Sequence, residues 1–561
     1  IGLVGENNGT IKNMTLRDAD VQVNVEIVTR AKGTLPLTGT TALQPLETTD
    51  SAYRDIRAVG ALCGVNTGTL EKCTLTHGKN NAVSAQVLAM LPFDDNATAT
   101  ARTTVSGTAY YENEPRGIGG LVGVAIPKDG QPQTISALTV DANVTVAGLL
   151  QDNSPKAAGN TLTEQERYAA AASGENSIWR SIGVGGVVGT MDAANLTLKP
   201  DASGKTMTNK AAVIGSAFTG GVVGNLYNSG KTDVTLTGLQ NEGTVSVGAN
   251  YLGSAEGENS RVLGQFFGGI AGYCKNVTLR GSTSTTRRDM TETQLKTAVK
   301  GGYANDGALT DDSPLKGDFV GGLVGFASGS KLDNCTTQKG YVLGRCFVGG
   351  MAGGFSGSQL KITGGSNSST VLGNRYVGGV VSVNGSQSTV SGVINSGLVA
   401  GLGKNAAYVG GIAGLNDAEW GSIDAAAQNP AATIQNCVSS MASDTATNSS
   451  RSALLQALST YKNVSNQETT TRADYVGGLV GRNGKNAVLT WDNEASTVQI
   501  GTVICGNDFV GGLVGCNDAT AKITNDSASL LTVSGEVTGG KAVGGMIGLN
   551  LAPALPAADI K

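Results

Sequence analysis

An all-β repeat solenoid, similar to a parallel β-helix, is the fold class this sequence predicts, and three observations predict it. Gly makes up 82 of 561 residues, about 15% against a typical ~7%. A V-G-G-L-V-G core recurs from one end of the chain to the other, with a basic step near 30 residues. Between the cores lie short runs rich in Val, Ile, Leu and Thr, bounded by Gly, Asn, Ser and Asp, which is the composition of strands and turns. The excess Gly lacks the strict third-position period of collagen, Pro is only 12, and a 40% hydrophobic fraction is too high for a disordered chain.

Taken in order, the core reads IGLVG (1–5), VGALCG (59–64), IGGLVG (118–123), VGGVVG (184–189), TGGVVG (219–224), FGGIAG (267–272) and VGGLVG (320–325). It continues as VGGMAG (348–353), VGGVVS (377–382), VGGIAG (409–414), VGGLVG (476–481), VGGLVG (510–515) and VGGMIG (543–548). The structural repeat positions are Gly2, Gly5, Gly120, Gly123, Gly186, Gly189, Gly221, Gly224, Gly269, Gly272, Gly322 and Gly325. In the second half they are Gly350, Gly353, Gly379, Gly411, Gly414, Gly478, Gly481, Gly512, Gly515, Gly545 and Gly548. Gly322, Gly350, Gly379 and Gly411 are 28, 29 and 32 residues apart. Longer steps, such as 59 from Gly2 to Ala61 and 67 from Gly411 to Gly478, read as the same unit carrying an insertion or a degenerate extra copy.

Two further strands follow each core. The first is a T-I-x-N type, as in TIKNMTL (10–16), TLEKCTL (69–75), KLDNCTT (331–337) and TIQNCVS (433–439); the second is a G-x-V type, as in GTVSVG from Gly243 and GTVICG from Gly501. Three strands and three turns fill a ~30-residue coil, and division of the length gives about 17 to 18 coils. These residues resemble the GLUG repeat, named for its G-L-x-G core, across nearly the whole chain. The resemblance implies an extracellular bacterial module, as in large adhesin-like surface proteins and the non-catalytic regions of metallopeptidases that cleave immunoglobulin A. It carries over no catalytic residue. The pattern departs from the family at Ala61, Ser382 and Thr219 and around Gly269.

If the core is one extended strand, Val, Gly and Val line one face and Gly, Leu and Gly the other. Neither face is polar, and Gly weakens a strand unless something approaches closely, so the sheet is expected to be covered on both sides. Four helices are expected in insertions: Ala82 to Leu91, Thr163 to Ala172, Glu292 to Lys300 and Arg451 to Tyr461. Thr163 with Glu166, and Thr291 with Gln294, have capping-box spacing, and Gly174 and Gly301 are stops. Leu454, Leu458 and Tyr461 form a stripe that has to bury against this chain or another. The domain expectation is a continuous repeat over 1–550 with insertions near 77–116, 141–181, 283–318 and 417–474. The end, 551–561, holds Pro553 and Pro556 and reads as a linker. A start at Ile1 without a leader reads as a mature or excised piece.

A net charge of −4 and pI near 5.4, with no sustained Lys/Arg stripe, argue against nucleic acid. No run of eighteen apolar residues is present, so no membrane-spanning helix is expected. The one histidine, His77, reads as a surface residue and limits both metal sites and catalytic triads. Eight cysteines without a CxxC pair leave two readings open, buried thiols or disulfides such as Cys335 with Cys346 or Cys505 with Cys516. Cys73, Cys335 and Cys437 occupy one repeat position, which suggests a small inward-facing side chain.

Several short motifs are discarded on context. Leu35-Pro36-Leu37-Thr38-Gly39 spells a sortase signal far from any apolar tail, and NLYNSGKT (225–232) has Asn225 where a phosphate loop needs Gly. The GxGxxA at Gly401 to Ala406 lies between strands. Acidic groups at Asp94, Asp95, Asp311, Asp312 and Asp318 lack calcium-loop spacing, and N-x-[ST] triplets such as Asn8-Gly9-Thr10 and Asn276-Val277-Thr278 carry little weight. Carboxylate-only glycan cleavage finds no recurring acid pair, and Trp179, Trp420 and Trp491 sit in dissimilar contexts. The expectation is a non-enzyme with no cofactor and no metal: a rigid stalk or adhesion module. Its partner is a protein or glycan on a host or neighbouring cell, or another copy of itself, with a subunit of a self-assembling extracellular filament or surface layer, or the non-catalytic accessory region of a secreted metallopeptidase, as alternatives.

Overall fold

The computed structural model describes residues 1–24, 58–78, 85–93, 115–128, 131–152, 163–173, 182–230, 232–248, 265–285, 290–310, 313–338, 340–356, 360–420, 431–439, 445–492, 498–525 and 531–551. Two compact units divide the chain, Ile1–Ser284 and Thr285–Lys561. Both are all-β parallel solenoids. In the first unit the ladder built on the second half of each core runs Val4–Asn7, Cys63–Asn66, Val122–Ala125, Val188–Asp192, Val223–Tyr227, Ala271–Lys275. In the second it runs Val324–Ser328, Ala352–Ser356, Val381–Asn384, Ala413–Asn416, Val480–Asn483, Val514–Asn517, Ile547–Asn550. Each core copy is therefore one turn of winding. The long steps are insertions and not extra turns, because Val4 pairs directly with Cys63 and Ala413 with Val480. Thirteen turns are wound among the described residues, fewer than division of the length suggests.

The turn is also more finely cut than three strands. One turn of the second unit consists of Asp318–Gly321, Val324–Ser328, Lys331–Asp333, Thr336–Gln338 and Tyr341–Leu343. The V-G-G-L-V-G core is two of these strands, bent at Gly322 and Leu323, and the T-I-x-N segment is another two. Their shared corner is a left-handed residue, Asn334 at φ 50°, with Lys72 at 53° and Asn436 at 51° in the same place. Asn is the side chain that best tolerates this region. The next residue is the repeated cysteine. Cys73, Cys335 and Cys437 are buried and direct Sγ back to the carbonyls of Glu71, Asp333 and Gln435 at 3.5, 3.6 and 3.3 Å, as a small inward side chain should.

Three helices are present among the described residues: α1 (Glu164–Ser173), α2 (Glu292–Gly301) and α3 (Thr445–Ser459). Both capping boxes form. Thr291 N donates to Gln294 Oε1 at 2.7 Å while Gln294 N donates to Thr291 Oγ1 at 3.2 Å, and Thr163 with Glu166 repeats the exchange. Gly301 ends α2 one residue before its cap, Gly302; Gly174 lies outside the described residues. The helix expected over Ala82 to Leu91 is a correction, since Ala85–Phe93 is a nine-residue strand. It pairs with Asp20–Asn24 on one side and along its full length with Val144–Asp152 on the other. That run is apolar without a polar face, and ladder pairing on both sides satisfies its backbone where helix propensity alone is weak.

The stripe on α3 docks within its own unit. Leu454 and Leu458 join Leu295 and Val299 of α2 over Leu343, Leu372 and Leu398, while Tyr461 falls past the helix and packs 5.9 Å from Tyr303. Among the described residues no helix is long and apolar enough to cross a membrane.

Candidate functional site

The repeated glycines come together as a backbone-to-backbone seam. The cores at 118–123, 184–189, 348–353 and 377–382 are buried at every position, and what covers the glycines is mostly main chain. A methyl group on Gly321, Gly349 or Gly378 would overlap the carbonyl oxygen of Val324, Ala352 or Val381 in the same turn. The corner glycines Gly120, Gly186, Gly221, Gly322, Gly350, Gly379, Gly411 and Gly512 each lie on the carbonyl of the next corner, Gly269 and Gly478 supplying that carbonyl to Gly221 and Gly411, and face an inward side chain such as Asn367 or Asn395. The third set rests on the preceding turn: a methyl on Gly353, Gly414, Gly481 or Gly515 would lie 2.5–2.7 Å from the amide nitrogen of Val320, Val377, Val409 or Val476. Gly123, Gly189, Gly224, Gly272 and Gly548 are placed alike, and Gly325 supplies a carbonyl to the contact at Gly353. A methyl on Gly2 would lie 2.5 Å from Gly60 O, while one on Gly5 or Gly545, in the first and last described turns, would meet nothing within 4 Å. The sheet is thus covered on both sides, as expected, but by its own partner strand.

The departures fit locally. Ser382 stands where the third glycine would be and its hydroxyl donates to Gly353 O. Thr219 Oγ1 donates to Ala217 O at 2.9 Å, and Ala61 N keeps the corner bond to Gly120 O at 3.1 Å.

Side-chain ladders follow the same winding. In the second unit Asn384, Asn416, Asn483, Asn517 and Asn550 form a row in which each Nδ2 donates to the next Oδ1 at 2.8–2.9 Å. A second row carries Thr337 to Asn367 at 2.6 Å and Asn367 to Asn395 at 2.8 Å. Buried amides are affordable because each finds partners.

An aromatic row runs beside them, carried by the repeat one position ahead of the core. The residue two before the first core glycine is Phe319, Phe347, Tyr376, Tyr408, Tyr475 and Phe509 in successive turns, each left-handed with φ of 53–60°. Left-handed backbone at a bulky residue costs about 1–3 kcal/mol, so propensity argues against it. Successive rings stack with centroids 4.6–5.0 Å apart and planes within 16°. Trp420 packs 5.1 Å from Tyr376 and Arg375 Cζ sits 5.6 Å over it. Because the rings take one another's faces, the row presents edges and offers no flat platform to a sugar.

Charged groups are tied into the frame. Arg345 forks onto the buried Asp318 at 3.1 and 2.9 Å, and Arg482 onto Asp518 at 3.1 and 2.7 Å. His77 corrects its surface reading: its ring is 17% exposed and Nδ1 lies 2.9 Å from Asp18 Oδ1. Burial pushes Asp417 up to about 6 and Cys437 up to about 12. All eight cysteines are free, so neither disulfide forms, and seven are buried. Asn225 is fully buried in a strand and Gly401 ends one, away from any helix start. Residues 35–39, Asp94, Asp95, Asp311, Asp312 and Trp179 lie outside the described residues.

One concavity stands apart from this regular packing. Beneath α3 a cleft of about 190 Å³ is lined by Leu398–Gly401, Ser439, Thr471–Ala473, Ile504 and Cys505, with Leu455, Gln456 and Ser459 of the helix above. Among the described residues no strand of the fifth ladder lies between Val399–Gly401 and Val498–Cys505. Tyr341–Leu343, Thr370–Gly373 and Val399–Gly401 pair in order, the next turn sends its chain out through α3, and the ladder resumes at Val498–Cys505 paired with Leu531–Thr538. No protein-family model, curated protein or solved structure matches this chain.

Proposed function

We propose that the chain is a structural and adhesion module of an extracellular bacterial surface protein, a stiff repeat segment that presents or links binding regions. The observation that carries the reading is the glycine seam with its asparagine and aromatic rows. Within each unit successive turns are joined by main-chain hydrogen bonds, and in the second unit by like-on-like side chains as well, the nearest-neighbour arrangement that makes repeat arrays stiff. The G-L-x-G resemblance supports the location, since the family it points to is displayed outside the cell. Insertions of unequal length decorate the winding, and binding regions belong there, where surface loops carry function.

The test is display on the producing cell. Intact bacteria treated with a non-permeant protease are expected to lose the chain from immunoblots while a cytoplasmic marker survives. Protection equal to that marker refutes the surface assignment.

A further inference from the structure

We infer that Tyr408 and Tyr475 form a modification site, where hydrogen peroxide acting through a haem peroxidase joins the two rings carbon to carbon. This goes beyond the surface-module reading and stands without it.

The winding sets the two phenols against each other. Ala407 pairs with Asp474 and Val409 with Val476, so Tyr408 and Tyr475 are facing residues on adjacent parallel strands, about 4.8 Å apart along the ladder. Their ring centroids are 4.9 Å apart and their planes within 12°. Tyr376 stacks on Tyr408 at 4.8 Å, and the row continues into Phe347 at one end and Phe509 at the other. Those two rings carry no phenol. A radical formed in the row is therefore confined to three tyrosines, each already in contact with another phenol, and held contact of that kind replaces the encounter that coupling otherwise requires.

The chemistry balances within the pair. Each phenol gives up one electron and its hydroxyl proton, and one hydrogen peroxide takes both electrons and both protons to become two waters. The two phenoxyl radicals bond through carbons ortho to oxygen, and the hydrogen on each of those carbons moves to its oxygen as aromaticity returns. The product lacks two hydrogens. Forming the bond turns the rings from face to face toward side by side, which needs room. Tyr376 lacks it: it is 5% exposed, packs 5.1 Å from Trp420 and lies nearest the Arg375 guanidinium, at 5.6 Å against 5.9 Å for Tyr408. Tyr408 and Tyr475 are both only partly buried. Their cross-link would span the 67-residue step, on which the chain leaves the winding through α3 and the hairpin of Thr460–Lys462 with Glu468–Thr470.

The test treats the dilute full chain with a haem peroxidase and one equivalent of hydrogen peroxide. The monomer is then isolated under denaturing conditions, weighed intact, digested and mapped by tandem mass spectrometry. A monomer lighter by two hydrogens is expected, with the peptides of Tyr408 and Tyr475 joined. That product is expected to exceed any joining of Tyr303 to Tyr461, whose rings are 5.9 Å apart and tilted by 45°, by about tenfold. Tyr475→Phe is expected to abolish it while keeping the stack, since Phe319, Phe347 and Phe509 hold the same place in other turns. Tyr376→Phe is expected to leave the yield unchanged. An unchanged monomer mass overturns the proposal, as do cross-links only between copies or an equal yield from the Tyr475→Phe chain. A bond between Tyr376 and Tyr408 in place of Tyr408 and Tyr475 overturns it as well.

Discussion

Gly378→Ala tests the seam at one of its tightest points. The new methyl would overlap Val381 O and lie 2.8 Å from both the Val381 carbonyl carbon and Ile412 O. Ordinary carbon contacts begin near 3.5 Å, so the corner has to shift by roughly 1 Å. Four main-chain bonds cross that corner: Met351 N and Ala352 N to Val380 O at 2.8 and 3.0 Å, and Val380 N and Val381 N to Ile412 O at 2.9 and 3.0 Å. A shift of that size takes them out of range, and at about 1 kcal/mol each the loss is about 4 kcal/mol. Gly545→Ala is the control, a repeat glycine of the same unit whose added methyl would meet nothing within 4 Å. Urea unfolding followed by circular dichroism reads the difference, and hydrogen exchange at Val380 and Ile412 locates it, which matters because repeat arrays lose strict two-state behaviour. A Gly378→Ala chain within about 0.5 kcal/mol of Gly545→Ala would refute the close-approach reasoning.

Asn416→Leu removes both the acceptor of Asn384 and the donor to Asn483; with two buried amides stripped of a partner, a loss of about 2–4 kcal/mol is expected in the same unfolding assay. For Asp417, burial raises the folded value to about 6 from 3.8, so the stabilisation it gives is full below pH 3.8 and lost as pH rises through 6. Asp417→Asn is therefore expected to stabilise at pH 8 by about 3 kcal/mol more than at pH 3.5, read from urea midpoints at the two pH values. Titration with Ellman's reagent at pH 8 is expected to find Cys505 reacting in the folded chain and the other seven only after unfolding, given their burial and the raised values of Cys63, Cys437 and Cys516.

The winding was legible because close approach permits so few residues. A glycine with main chain on both sides admits almost nothing else, so the seam prints itself on the sequence at each turn. The number of strands was not legible, since Gly322 and Leu323 carry no turn signal and bend only because the next strand packs back on the first. The aromatic row was hidden for the opposite reason. Phe and Tyr at positive φ defy local preference, and stacking between turns, not propensity, holds them there. Ala85–Phe93 misread as helical because its partners are distant in sequence.

The unequal insertions have a consequence for how the chain finds its register. Turns built from the same glycines, asparagines and aromatics are nearly interchangeable, so a slip by one whole turn would keep the seam and most of the rows intact. Spacing breaks that degeneracy. With steps of 28, 29, 32 and 67 residues along the second unit, a slipped copy would strand Leu454 and Leu458 away from Leu295 and Val299. The helices thus act as indexing pins, numbering turns that the seam alone cannot tell apart.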